Sequence, residues 1–127
     1  MSVKITAVGK TNPRNTVEPL TYYPTAIKRG EIDLDALSEK IAYSTTATSA
    51  DCYLIILALV KTISQELEQG NAVRLGHMGS FKISVKGIGA ATANEVNATH
   101  VRSAHINFQP GKHFKNMLTT LKYEVKR

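Results

Sequence analysis

Between Ser49 and Gln69 apolar residues recur at helical spacing in a stripe wider than one contact needs. Tyr53, Ile56, Leu57, Val60, Ile63 and Leu67 share one face, and Ile55 and Leu59 widen the stripe. A helix apolar on two sides belongs between two layers or across a subunit interface. Thr48-Ser49-Ala50-Asp51 has capping-box spacing at its start, with Asp in the usual Glu or Gln position, and Gly70-Asn71 stops it. After Gly70 the period changes from 3.6 to 2. Phe81, Ile83 and Val85 alternate with Lys82, Ser84 and Lys86. A chain of 127 residues has room for one ordinary domain around such a helix and ribbon.

The remaining elements follow from the same periodicities. Val3, Ile5 and Ala7 alternate with Lys4 and Thr6 as a short strand, and Gly9–Pro13 reads as a turn. Val17–Pro24 is extended, with Pro19 and Pro24 confining it to a sheet edge. Residues 33–43 form a short helix capped by Asp33, with Leu34, Leu37 and Ile41 on one face. Val73 to Val85 gives about 13 extended residues spanning roughly 40 Å, with a bend or bulge allowed at Gly76–Ser80. A small core cannot bury both faces of such a ribbon, so it protrudes. Ile88–Asn97 reads as a mobile tip, and Ala104, Ile106 and Phe108 as the return strand. Pro110-Gly111-Lys112 opens a last helix bearing Phe114, Met117, Leu118 and Leu121. Residues 1–29 are a separate extension packing on a core domain of 30–127.

The chemistry of catalysis is missing from the pattern. Gly9-Lys10-Thr11 ends like a phosphate-binding loop, but Lys4 stands where its first glycine belongs. Gly87-Ile88-Gly89 lacks the third glycine of a dinucleotide site, and Ser80 lacks the flanking glycines of a nucleophile elbow. His77, His100, His105 and His113 are not spaced for a shared metal and read as solvated histidines, so no metal or cofactor is expected. Cys52 is single and reads as a small buried hydrophobe, which rules out an intrachain disulfide framework. The longest apolar run, Tyr53–Val60, is much shorter than the roughly 20 residues of a membrane span. The first residues lack the charged start, apolar block and cleavage site of a signal peptide. The expectation is a soluble, cytoplasmic protein with no membrane partner and no small-molecule substrate.

Charge is segregated. The net is +6, but residues 30–73 hold two basic and seven acidic residues, whereas 82–127 hold eight basic and two acidic. Residues 1–29 contribute a further +4. An acidic helical base with a basic ribbon and last helix is the distribution a phosphate-tracking surface needs. The start of the last helix adds free N–H groups that suit an anion, Gly111 to let a phosphate approach, and Lys112 and Lys115 on one face.

Several stretches resemble the bacterial histone-like family of HU and integration host factor. They are Leu37-Ser38-Glu39-Lys40-Ile41-Ala42, Thr48-Ser49-Ala50-Asp51, Gly70 through Phe81, and Ile106 through Lys115. The family's G-x-x-V-x-L-x-x-x-G-x-F stretch and its late F-x-x-G-K-x-(L/F)-K stretch are both met, and the resemblance covers roughly residues 33–122. Tyr22-Tyr23-Pro24 looks like the extension of a longer HU-like subgroup. The resemblance implies an α+β, HU/IHF-like fold: an intertwined homodimer with a helical base, long β-ribbon arms and a C-terminal helix. It implies a non-enzymatic, nucleoid-associated architectural protein that binds and condenses double-stranded DNA with little base specificity, its arms in the minor groove. By position, Lys112 and Lys115 look like phosphate contacts, and Arg74, Lys82, Lys86, Arg102 and His105 like DNA-facing residues of the saddle and arms. The family arm carries an Arg-Asn-Pro tip whose proline wedges between base pairs. Here Ile88–Asn97 has neither proline nor arginine and contains Glu95, which leaves Ile88 as the apolar residue in the wedge position and favours mostly electrostatic binding. The alternative is the same fold used as a protein-interaction module, its arm adding a strand to a protein partner.

Overall fold

A computed structural model describes residues 2–11, 13, 14, 17 and 19–126. Asn12 of the expected turn and Glu18 of the expected extended segment lie outside the described residues, as do the terminal Met1 and Arg127. The fold is mixed α+β. In chain order it comprises β1 (Val3–Lys10), β2 (Thr21–Ile27), α1 (Leu34–Tyr43), α2 (Ser49–Glu68), β3 (Val73–Arg74), β4 (Gly79–Gly87), β5 (Val101–Pro110), α3 (Lys112–Thr119) and β6 (Tyr123–Val125). These form two compact units, Met1–Asp33 with Leu118–Arg127, and Leu34–Met117. Residues 30–33 and 118–127, which the sequence pattern attaches to the core domain, therefore group with the N-terminal extension.

The first unit is a three-stranded sheet of order β2-β1-β6. β1 pairs antiparallel with β2 from Lys4↔Ile27 to Lys10↔Thr21, so Gly9 and Lys10 continue the strand instead of opening a turn. Pro24 lies on the edge strand β2, where a missing N–H costs no ladder bond. On its other side β1 pairs in parallel with β6, Val3↔Tyr123 to Ile5↔Val125. Val3 N–H donates to the Lys122 carbonyl at 2.8 Å and Lys126 N–H to the Ile5 carbonyl at 2.9 Å. α3 ends at Thr119, so Leu121 lies beyond the helix that periodicity extends over it.

In the second unit α1 packs on α2. Ser38 is buried against this contact, and its hydroxyl donates to the Leu34 carbonyl at 2.8 Å, which lets a polar side chain sit where the helices approach. Thr48 caps α2: its Oγ1 accepts from Asp51 N–H at 3.1 Å. Gly70, at φ 89°, ends it. The inward row of α2 is Cys52, Ile56, Leu59, Ile63 and Leu67, with Cys52 and Leu67 buried and the others half-buried. Cys52 is indeed a small buried side chain. Leu57 and Val60, which periodicity groups on the same apolar face as Ile56 and Ile63, are left exposed, as are Leu54 and Ile55; these last two are 63% and 64% exposed.

The sheet of this unit has order β3-β4-β5. Alternation alone predicts continuous extension from Val73 to Val85, but the chain reverses at 75–78. Leu75 N–H donates to the Gly79 carbonyl at 2.7 Å, Met78 N–H to Leu75 at 3.2 Å, and β3 folds back antiparallel on β4 (Val73↔Phe81, Arg74↔Ser80). Gly79, at φ 135°, follows the reversal and lets β4 begin close against β5: a Cβ there would lie 2.2 Å from the Gln109 carbonyl oxygen.

Candidate nucleic-acid interface

The arm is the β4–β5 hairpin, nine and ten residues long, or about 30 Å of ribbon. Its antiparallel register runs from Gly79↔Pro110 through Phe81↔Phe108 and Ile83↔Ile106 to Gly87↔Val101. Directly opposed residues project to the same side, which gives two chemically distinct faces. One carries Phe81, Phe108, Ile83, Ile106, Val85 and Ala104, with the two phenylalanine rings 4.9 Å apart between centroids. The other carries Lys82 beside Asn107, Ser84 beside His105, and Lys86 beside Ser103. Arg74 joins this second face through its pairing with Ser80.

Of the residues proposed from sequence, Arg74, Lys82, Lys86 and His105 thus share one side of the sheet. Arg102 falls at the irregularity between Lys86/Gly87 and Val101, and its Nη1 donates to the Thr99 carbonyl at 2.9 Å, turning it toward the tip. Lys112 and Lys115 occupy the first turn of α3, three residues apart and on one helix face. Two further groups belong to the basic face: Asn107 Nδ2 donates to Ser84 Oγ at 2.9 Å, and Ser103 Oγ lies 3.4 Å from His105 Nε2. Period-two alternation carried their signal, but uncharged side chains draw less attention than lysines.

The start of α3 differs from its sequence reading in two respects. Pro110 ends β5 instead of opening the helix, and Gly111 precedes its first residue, accepting from Lys115 N–H at 3.0 Å. The N–H groups of the first turn precede any intrahelical acceptor, so the anion-favouring end of the helix remains. Gly111, however, is not a space left for phosphate. A Cβ there would lie 2.5 Å from the His77 carbonyl oxygen, and Gly111 N–H donates to the Met78 carbonyl at 2.9 Å. The 75–78 turn presses on the helix start and needs the glycine.

The arm tip is built from two 3-10 turns, Ala93–Glu95 and Ala98–His100. Asn97 caps the second: its Oδ1 accepts from Thr99 N–H at 2.9 Å, while its own N–H donates to His100 Nδ1 at 3.1 Å. Ile88 N–H donates to the His100 carbonyl at 3.0 Å, and the Ile88 side chain is half exposed. Among the described residues no group of three or more His, Cys, Asp or Glu is arranged to hold a metal ion, and no helix is long and apolar enough to cross a membrane.

A short helical pair, a β-arm and a helix following the arm define an HU-like fold. The chain covers 70% of itself and 99% of Anabaena HU, solved as a cocrystal with DNA, at a TM-score of 0.55 and 18% identity. A Bacteroides vulgatus ATCC 8482 crystal structure, named a "Putative bacterial DNA binding protein", matches over 98% of this chain at a TM-score of 0.70 and 16% identity. The chain spans about half that protein's length, 48%. No curated protein matches the sequence. The family profile for HU-HIG, described as an HU domain fused to wHTH, Ig, or glycine-rich motif, matches residues 1–126. The protein belongs to the HU-HIG family.

Proposed function

We propose that this is a non-enzymatic architectural protein that binds double-stranded DNA with little regard to sequence, acts as a homodimer and associates with the bacterial nucleoid. The observation that carries the reading is the one-sided arm, with Arg74, Lys82, Lys86 and His105 on a single face. A ribbon with cations on one side can lie along a groove and neutralise phosphates without reading bases. Lys112, Lys115 and the first turn of α3 are the second set of phosphate contacts, and Arg102 acts near the tip. The HU fold, found elsewhere in a complex with DNA, supports the same assignment. With Ile88 and no proline at the tip, binding is mainly electrostatic and kinking by intercalation is weak.

Homodimerisation is inferred from α2. Leu54, Ile55, Leu57 and Val60 are apolar side chains around α2 that one copy leaves exposed. Burying each such side chain contributes about 1.5–3 kcal/mol, so a second copy covering them is strongly favoured. The N-terminal extension, with Tyr22-Tyr23-Pro24, fits a longer HU-like subgroup.

Replacing Lys112 and Lys115 together by Glu tests the phosphate role. Affinity for unrelated duplexes should fall by a similar factor, tenfold or more at low salt, and the salt dependence should flatten by roughly two phosphate contacts. Unchanged affinity would refute the assignment.

The second reading, an arm that pairs with a protein, draws on the exposed apolar face of the hairpin at Ile83, Val85, Ile106 and Phe108. Pull-down after nuclease treatment separates the two: a partner retained without DNA favours the protein-pairing role.

A further inference from the structure

The smaller unit is the more highly charged for its size. Met1–Asp33 with Leu118–Arg127 holds eight Lys and Arg against four Asp and Glu, a net of +4. Leu34–Met117, about twice as long, holds eight against six, a net of +2. Solubility alone does not require the shorter piece to carry the larger excess.

Much of this charge gathers on one face of the β2-β1-β6 sheet. Alternation along β1 sends Lys4, Thr6, Val8 and Lys10 to one side, and the register sets Ile27, Thr25, Tyr23 and Thr21 beside them. At one end, Lys4, Lys28, Arg29 and Lys126 border a pocket of about 410 Å³. Glu124 also lines it, opposite Lys4 in the strand register, and its Oε2 accepts from Ser2 Oγ at 3.1 Å. Lys28 is paired with the exposed Glu31. At the other end, Lys10 Nζ lies over the half-exposed Tyr23 ring, 5.8 Å from its centre, a cation–π contact that Lys10 would exchange for a phosphate when a base takes the ring face.

Six residues of strand separate Lys4 from Lys10, about 20 Å. A single small anion could fill the pocket but could not use the far end. A run of phosphates could use both, and the aromatic ring on the same face gives an unpaired base somewhere to stack. Basic groove and stacking ring together are the means by which proteins hold single-stranded nucleic acid without sequence preference.

We propose that this face binds a single-stranded nucleic-acid segment. Lys4 and Lys126 hold phosphates at the pocket, Lys10 holds one at the far end, and Tyr23 stacks a base. The site lies wholly within the first unit and does not depend on duplex binding by the arm.

The test uses the full chain, labelled oligothymidylate and the triple variant Lys4→Gln, Lys10→Gln, Lys126→Gln, which adds no carboxylate beside Glu124. Oligothymidylate affinity should fall tenfold or more at low salt, and the slope of log K against log salt should shrink by about two. The Lys112→Glu, Lys115→Glu variant should keep its oligothymidylate affinity. If that variant also keeps its duplex affinity, the arm's assigned role fails while this site stands. Should the triple variant not fold, Tyr23 provides the reading: Tyr23→Ala should weaken binding about fivefold or more and Tyr23→Phe should not. Unchanged oligothymidylate affinity in a triple variant with a wild-type melting curve overturns the proposal. So does binding of phosphatidylglycerol vesicles, lost in the triple variant, without binding of the oligonucleotide.

Discussion

The two three-stranded sheets have similar surface chemistry but are assembled differently. Each has a face bearing several cations: Arg74, Lys82 and Lys86 on β3-β4-β5, Lys4 and Lys10 on β2-β1-β6. The first is made from strands that follow one another in the chain. The second draws β1 from the start and β6 from the end, with Val3 bonded to Lys122. Local pairing costs little loop entropy, whereas joining the ends fixes a long loop. The local sheet is thus complete from strands of one stretch of chain, beside a helix α2 whose Leu54, Ile55, Leu57 and Val60 stay exposed. The other sheet recruits its third strand from the chain's own C-terminal residues.

The largest expected effect tests whether a second copy covers α2 in one unit while the other unit stands alone. Leu57→Glu with Val60→Glu places charge among the exposed apolar side chains of α2 and should cost about 4 kcal/mol of association. Sedimentation should then show monomer where the wild type shows dimer, while amide exchange at Val3 in the first sheet stays slow. Persistent dimer would assign the interface elsewhere.

Next in size is Gly79→Val. It forces a branched side chain into a φ of 135° and toward the Gln109 carbonyl, at an expected cost of about 3 kcal/mol to the second unit. Urea unfolding followed by a probe in each unit should show the loss in the arm's unit. A smaller effect falls on the other sheet. Removing residues 121–127 deletes β6 and with it the bonds from Val3 and to Ile5, about 2 kcal/mol in all. Exchange at Val3 should speed up tenfold or more, with duplex affinity at the arm retained. Smallest is Thr48→Ala, which removes the cap on α2 and should lower stability by about 1 kcal/mol in thermal melts.

The same contrast explains what was legible in the residues alone. α2 was readable to within a residue because Thr48, the helical period and Gly70 are local signals that agree. The arm's two faces were readable because alternation from Phe81 to Lys86 and from Ala104 to Gln109 is local too. β6 was not, since Tyr123–Val125 is three residues long and its only strand signal is a partner at the far end of the chain. The reversal at 75–78 was half visible: its glycines stood out, but alternation through Val73 and Leu75 argued for one long strand. Gly111 shows the limit for the site. A glycine at a helix start before a lysine suggests room for phosphate, and only the position of His77 reveals that backbone fills the space.

The central claim is that the arm and α3 bind duplex DNA through phosphates and not bases. Its most direct test is the affinity of the whole protein for two duplexes of unrelated sequence across a range of salt concentrations. The account predicts two straight lines of log K against log salt, nearly superimposed and each falling steeply as several counterions are released. Affinity that ignores salt, or that appears on one sequence and not the other, would contradict it.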